Sequence, residues 1–151
     1  MSSLIPLVKA HLVDVLLPAV LPADVTVYYG LGYGGTDRDV VMVTDAQTDS
    51  EFPCYGTTRK IEERGQVAIV FKSYRPTEQG QREATERAFE LHDLVRDHFR
   101  AAPNETLGGA VRMASITSTE LVEDDETVDE DDLAAGRLAV VVAVLSFTGR
   151  T

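Results

Sequence analysis

GRLAVVVAVLSFT, from Gly136 to Thr148, is the strongest strand signal in the chain. It is rich in β-branched and aromatic residues. Its longest apolar run, Leu138 to Leu145, has the length of a strand and falls far short of the roughly 20 apolar residues of a membrane span. Working outward, the stretch from Glu120 to Asp132 holds nine acids and no base. Before it, Val111 to Val122 also reads as a strand. These two strands are placed to pair as a hairpin across an acidic loop, which makes this end of the sheet antiparallel.

The remainder follows from periodicity. Leu4 to Val20 reads as a helix with a buried stripe of Leu4, Leu7, Val8, Leu12, Val15, Leu16 and Ala19. Ser2 or Ser3 is placed to cap it, Pro6 suits its first turn, and Pro18 and Pro22 bracket its end. Asp24 to Tyr29 and Asp39 to Thr44 read as strands, joined by the glycine-rich loop Gly30 to Gly35. The polar stretch Asp45 to Thr58 reads as a loop. Arg59 to Tyr74 reads as a long strand in which Gly65 marks a bulge. Thr77 is placed to cap a second helix over Gln79 to Ala101, whose stripe is Ala84, Ala88, Leu91, Val95 and Phe99. Early Glu78, Glu83 and Glu86 and late Arg96, His98 and Arg100 match the helix dipole.

The order is αβββαββ. Helices and strands do not alternate strictly, so a doubly wound parallel sheet is disfavoured. The expectation is an α+β fold: a mostly antiparallel sheet of about five strands with both helices on one face. The 151 residues suit one domain, 1–151, with a core that needs no staples.

Charge and composition exclude several functions. The net charge is −11, from 25 acids and 14 bases. Without the acidic run there remain 25 − 9 = 16 acids against 14 bases, so the body is close to neutral. There is no cluster of Lys and Arg for phosphate neutralisation, which argues against tight nucleic-acid binding. Cys54 is the single cysteine, so neither an internal disulfide nor a thiolate cluster is available, which fits a reducing compartment. Met1-Ser2-Ser3-Leu4 lacks the charged start of a signal peptide, so the expectation is a protein made in the cytoplasm and not exported by the general secretory route.

Each chemical motif fails on its context. Gly30-Leu31-Gly32-Tyr33-Gly34-Gly35 matches a dinucleotide fingerprint, but Thr36-Asp37-Arg38 leads into a strand where the fingerprint needs a helix N-terminus. Read as a calcium loop from Asp124, the acidic run has Asp129 where the sixth-position glycine belongs. His92 and His98 are six residues apart, about 240° around a helix, and share no face. Cys54 has no basic partner nearby in sequence, and no G-x-S-x-G elbow occurs. Glu62 and Glu63 are adjacent, so a strand points them to opposite faces. No cofactor, metal site or enzymatic activity is expected. Two competing classes stay open: a cation-binding module on the acidic loop, and an enzyme whose site assembles only in space.

Several ordered segments resemble the tail terminator proteins of long-tailed bacteriophages that infect actinobacteria. Val25-Thr26-Val27-Tyr28-Tyr29-Gly30-Leu31-Gly32 resembles their first strand and turn, and Val40 to Ala46 their next strand. Arg59-Lys60-Ile61-Glu62-Glu63 with Val67 to Val70 resembles their entry into a long strand. Glu83 to Phe99 and then Leu107-Gly108-Gly109-Ala110-Val111 resemble the second helix and its exit. The similarity spans nearly the whole chain, and the order of the motifs carries it. Thr44 stands where glycine is common in that family, and the proline common in the glycine loop is missing.

The resemblance implies the lambda-type terminator fold and a homo-oligomer, a hexameric ring at the head-proximal end of the tail. The implied partners are the tail tube protein and a head-completion or neck protein. DNA would pass through the ring without specific binding, and no membrane is involved. A head–tail joining or minor tail role is the nearest alternative. Glu123, Asp124, Asp125, Glu126, Asp129, Glu130, Asp131 and Asp132 are candidates for a lumen or ring face, because acids there repel DNA. Loop position makes Leu31, Tyr33, Asp37, Arg38, Phe52 and Tyr55 candidate contact residues.

Overall fold

The computed structural model describes residues 3–30, 39–51, 62–76, 80–101, 104–124 and 137–150. Five strands form one sheet: β1 (Thr26–Tyr29), β2 (Asp39–Glu51), β3 (Glu62–Arg75), β4 (Met113–Asp124) and β5 (Arg137–Arg150), in the order β1-β2-β3-β5-β4. The pairs β2–β3, β3–β5 and β4–β5 are antiparallel, and β1–β2 is parallel. The architecture is the expected α+β fold. The hairpin across the acidic segment is present, with Asp124 opposite Leu138 at its upper end.

The N-terminal helical segment comprises α1 (Ile5–His11), a π turn (Leu12–Leu16) and α2 (Leu17–Val20). Pro18 explains the π turn. A proline inside a helix loses its N–H bond, and its ring presses on the carbonyl four residues back. Widening the preceding turn makes room and shifts the helical phase by one residue. Leu4, Val8, Leu12, Leu16 and Leu17 are therefore buried, while Leu7, Val15 and Ala19, expected in the stripe, are exposed.

The long helix α3 (Gln81–Arg100) buries Ala84, Ala88, Leu91, Val95 and Phe99 as its spacing predicts, and His92 with them. It starts at Gln81, after an N-cap at Gly80 and two residues later than expected, and Thr77 lies outside the described residues. Helical side chains share one core with Val41 and Val43 of β2, Val67, Ile69 and Phe71 of β3, and Val141, Ala143 and Leu145 of β5. Strand side chains alternate between faces, so these residues define one covered face of the sheet.

Three expectations are corrected. Asp45 to Glu51 continues β2 and does not form a loop; its polar residues pair with Glu62 to Val67 across a register shift between Val43 and Ala46. Gly65 is not a bulge but sits in regular register opposite Thr48 and Phe147. A Cβ at Gly65 would lie 2.3 Å from Cζ of the buried Phe147 ring. Finally, Ser3 is only part of the N-terminal cap. Its Oγ accepts from the Ile5 amide at 3.2 Å, but the Leu4 amide donates to Glu63 on β3 at 2.8 Å.

The Phe147 ring is 2% exposed, so an added methyl at Gly65 must displace a buried ring. Gly65→Ala is expected to lose about 1–3 kcal/mol of stability by overpacking. Urea unfolding checks this, and an unchanged midpoint would show that the ring is free to move.

Candidate functional site

The residues expected to carry contacts fall largely outside the described part. Leu31, Tyr33, Asp37, Arg38, Phe52 and Tyr55 lie there, as do Asp125, Glu126, Asp129, Glu130, Asp131 and Asp132. Glu123 and Asp124 are the last residues of β4. The element after the glycine-rich segment is β2, a strand, so no helix N-terminus follows to receive a phosphate.

Three polar clusters that sequence reasoning did not find are assembled by the fold. Asp39, at the start of β2, is 5% exposed. Its carboxylate accepts from Ser73 Oγ at 2.8 Å, Arg75 Nη1 at 3.1 Å and Arg87 Nε at 3.1 Å. Arg87 on α3 also reaches Asp24 and Glu90, and Arg75 reaches Glu83. Burial alone would raise the Asp39 pKa, but the bonds from Ser73, Arg87 and Arg75 outweigh it and hold the carboxyl below its ordinary value. A carboxylate with both oxygens engaged by arginine is poorly suited to accept a proton from substrate. Its effect is to lock β2, β3 and α3 together.

Glu63 is 3% exposed and receives Ser3 Oγ–H on Oε1 at 2.5 Å and the Leu4 amide on Oε2 at 2.8 Å. A strand carboxylate thus closes the N-terminus of a helix some 60 residues earlier in the chain.

His92 is also buried, with Nδ1 3.0 Å from Asp93 Oδ1 and Nε2 3.0 Å from Thr119 Oγ1. The carboxylate only accepts, so the Nδ1–H tautomer of His92 donates to Asp93 and accepts the Thr119 hydroxyl proton at Nε2. The order carboxylate–imidazole–hydroxyl has the form of a nucleophile relay. Phe71 and Phe89 stand edge-on to the ring, with centroids at 5.7 and 6.0 Å. None of the three surface grooves described below is lined by His92 or Thr119. The arrangement satisfies both ring nitrogens of a buried histidine and ties α3 to β4.

The structure also brings together two histidines that the sequence left apart. His11 faces Gly108, and His98 is near enough to act on it. Burial, and secondarily His98, lower the His11 pKa.

Three grooves are formed among the described residues. The first, about 430 Å³, lies over the lower sheet and is lined by Gln47, Arg64, Gln66, Ser115, Ser146 and Thr148 among others. Its side chains bond partly to one another: Thr117 and Ser146 hydroxyls are 2.8 Å apart, and Gln47 Nε2 donates to Gln66 Oε1 at 3.2 Å. A second, about 200 Å³, adjoins it beside Asp45, Ala68 and Val144. The third, about 520 Å³, runs along the outer side of the N-terminal helical segment, past Leu7, His11, Val15 and Gly108. Among the described residues no three His, Cys, Asp or Glu side chains are grouped to hold a metal, and no helix is long and apolar enough to cross a membrane.

The upper sheet face away from the helices has a different character. Met42, Val70 and Val142 are cross-strand neighbours there, with Ala68 beside Val144 and Lys72 beside Val140. The valines and Ala68 remain only half-buried.

No protein-family model and no curated protein matches the chain. Among solved structures, a chain from the virion of a native gene transfer agent particle is similar at 11% identity, covering 97% of this chain and 92% of that one. The TM-score is 0.35, below the level at which two chains share a fold.

Replacing Asp39 by Asn leaves Arg75 and Arg87 facing a neutral amide. Asp39→Asn is expected to cost about 3 kcal/mol or more. Because the folded carboxyl is the stronger acid, its contribution is present above the ordinary aspartate range and is lost as pH falls through the lowered value. Acid unfolding followed by circular dichroism should therefore show a shallower loss of stability below about pH 4 in the variant. Equal slopes in both proteins would remove Asp39 as the source.

Proposed function

We propose that this protein is a structural component of a phage-like virion, and specifically a tail terminator. In this role it forms a ring, of about six copies, on the head-proximal end of the tail tube. The ring stops tube growth and offers its far side to a head-completion protein. The reading is one of binding and not of catalysis.

The observation that carries it is the succession of terminator-like segments, whose described parts fall on elements or their exits, while Leu31, Gly32 and Arg59 to Ile61 lie outside the described residues. Val25 to Gly30 spans β1 and its turn, Val40 to Ala46 lies in β2, and Val67 to Val70 lies in β3. Glu83 to Phe99 lies in α3, and Leu107 to Val111 is the turn that leads into β4. The chemistry of the surface supports the same reading. The polar clusters at Asp39, Glu63 and His92 join elements of the fold, and exposed apolar side chains, among them Leu7, Val15 and Met113, are suited to protein contacts. The acidic segment from Glu123 to Asp132 fits a lumen or ring face, where like charge keeps DNA moving.

Negative-stain electron microscopy with light scattering on one sample, alone and with tail tube protein, tests the reading. Closed rings with a central hole, free or on tube ends, are expected. A protein that neither closes into rings nor binds the tube would overturn it.

A further inference from the structure

The margin of the sheet formed by β4 is open. β4 stands last in the strand order and pairs with β5 on one side only. From Ser118 to Asp124 it runs in regular register against Val144 to Leu138, and every residue from Thr117 to Val122 is exposed. A marginal strand turns alternate N–H and C=O groups away from its neighbour and leaves a template for another strand. Sheets guard such an edge by short length, by Lys or Pro, or by a bulge. β4 has 12 residues with neither Lys nor Pro, and its irregularity, between Ile116 and Ser118, lies before this stretch. The edge is also held in place: Thr119 bonds His92 of the buried stripe of α3, and Val141 and Ala143 of β5 behind it belong to the core. A strand fixed beforehand has little ordering left to lose on binding.

We infer that Ser118 to Asp124 of β4 accepts an extended, basic segment of another protein as a sixth strand of the sheet. In strand addition the backbone bonds supply affinity and alternate side chains supply selection. Thr119 meets α3, so alternation puts Leu121 on the helix side and Ser118, Glu120 and Val122 on the other. Leu121 and Val122 are 37% and 44% exposed, which gives an added strand an apolar neighbour on each side. The charge on β4 has one sign: Glu120, Glu123 and Asp124, with no base. Opposite charges across a strand pair stabilise it and like charges destabilise it. A Lys or Arg facing Glu120, with β-branched residues beside Leu121 and Val122, meets both conditions. A second copy of β4 meets neither. It would bring Glu120, Glu123 and Asp124 of both copies into one ribbon, between chains that each carry a net charge of −11. The inference stands apart from the terminator reading, since it needs only the edge and its charge.

The test uses the full chain and, as probe, a short blocked peptide of alternating Lys and Val. Fluorescence anisotropy should show saturable binding. N-methylation of the peptide backbone keeps its charges and removes its donors, and should abolish that binding. Hydrogen exchange should slow at amides between Ser118 and Val122 when the unmethylated peptide is added. Glu120 is exposed, so Glu120→Lys leaves the core intact, and circular dichroism checks its fold. This variant should bind the peptide about tenfold more weakly. Equal binding of the methylated peptide would assign the association to charge alone and overturn strand addition. Protection that appears elsewhere and not on β4 would do the same. Unchanged affinity in Glu120→Lys would overturn the selection for a basic partner. Protection of the same amides in the parent without peptide, growing with protein concentration, would put a second copy at the edge and overturn the basic segment as its occupant.

Discussion

The ladder between β3 and β5 is the constraint on which the rest of the structure depends. It runs in unbroken antiparallel register from Glu62 opposite Arg150 to Arg75 opposite Arg137. A single-residue slip would turn Val67, Ile69, Phe71, Val141, Ala143 and Leu145 to the wrong face and expose the center of the core. Register here also sets two distant features. It brings Gly65 under the Phe147 ring, and it places Glu63 where the N-terminus of α1 arrives. Both β2 and β4 then add to a frame already fixed, and their own irregularities, between Val43 and Ala46 and between Ile116 and Ser118, are confined to the outer pairs.

Polar groups hold the layers together at points where apolar packing is indifferent to direction. Hydrophobic contact between α3 and the sheet would tolerate small slides along the helix axis, because burial is not directional. The bonds from Arg87 and Arg75 to Asp39 at one end, and from His92 to Thr119 near the middle, do not tolerate them. Glu63 performs the same service for the N-terminal helical segment. These carboxylates and imidazoles are the residues that would first attract attention as catalytic candidates. Their satisfied geometry accounts for them as fasteners.

Much of this was legible in the sequence, and the failures have physical causes. The stripe of α3 was read residue by residue, because a regular helix keeps its phase from Ala84 to Phe99. The stripe of the N-terminal helical segment was read too broadly, because the π turn before Pro18 shifts the phase partway along. The continuation of β2 through Asp45 to Glu51 was missed because its side chains are polar, and a strand on the margin of a sheet is held by backbone pairing that leaves no apolar signature. The parallel pairing of β1 with β2 was equally silent, since direction is a property of the connection and not of the four residues involved. Glu63, Asp39 and Thr119 could not be found as partners from spacing, because their contacts lie from 27 to 60 residues away.

The expectation about Leu7 and Val15 failed in a way that carries information. Periodicity reports which residues a chain needs to bury, whereas the fold of one copy reports which it does bury. Where the two agree, as in α3, the element is complete within the chain. Where apolar residues exceed what the described part of the chain covers, exposed surface remains, as at Leu7 and Val15 on the N-terminal helical segment. An isolated apolar side chain in solvent is ordinary and needs no explanation. Leu7 and Val15, which share one outer side of the N-terminal helical segment beside the groove at His11 and Gly108, are not isolated.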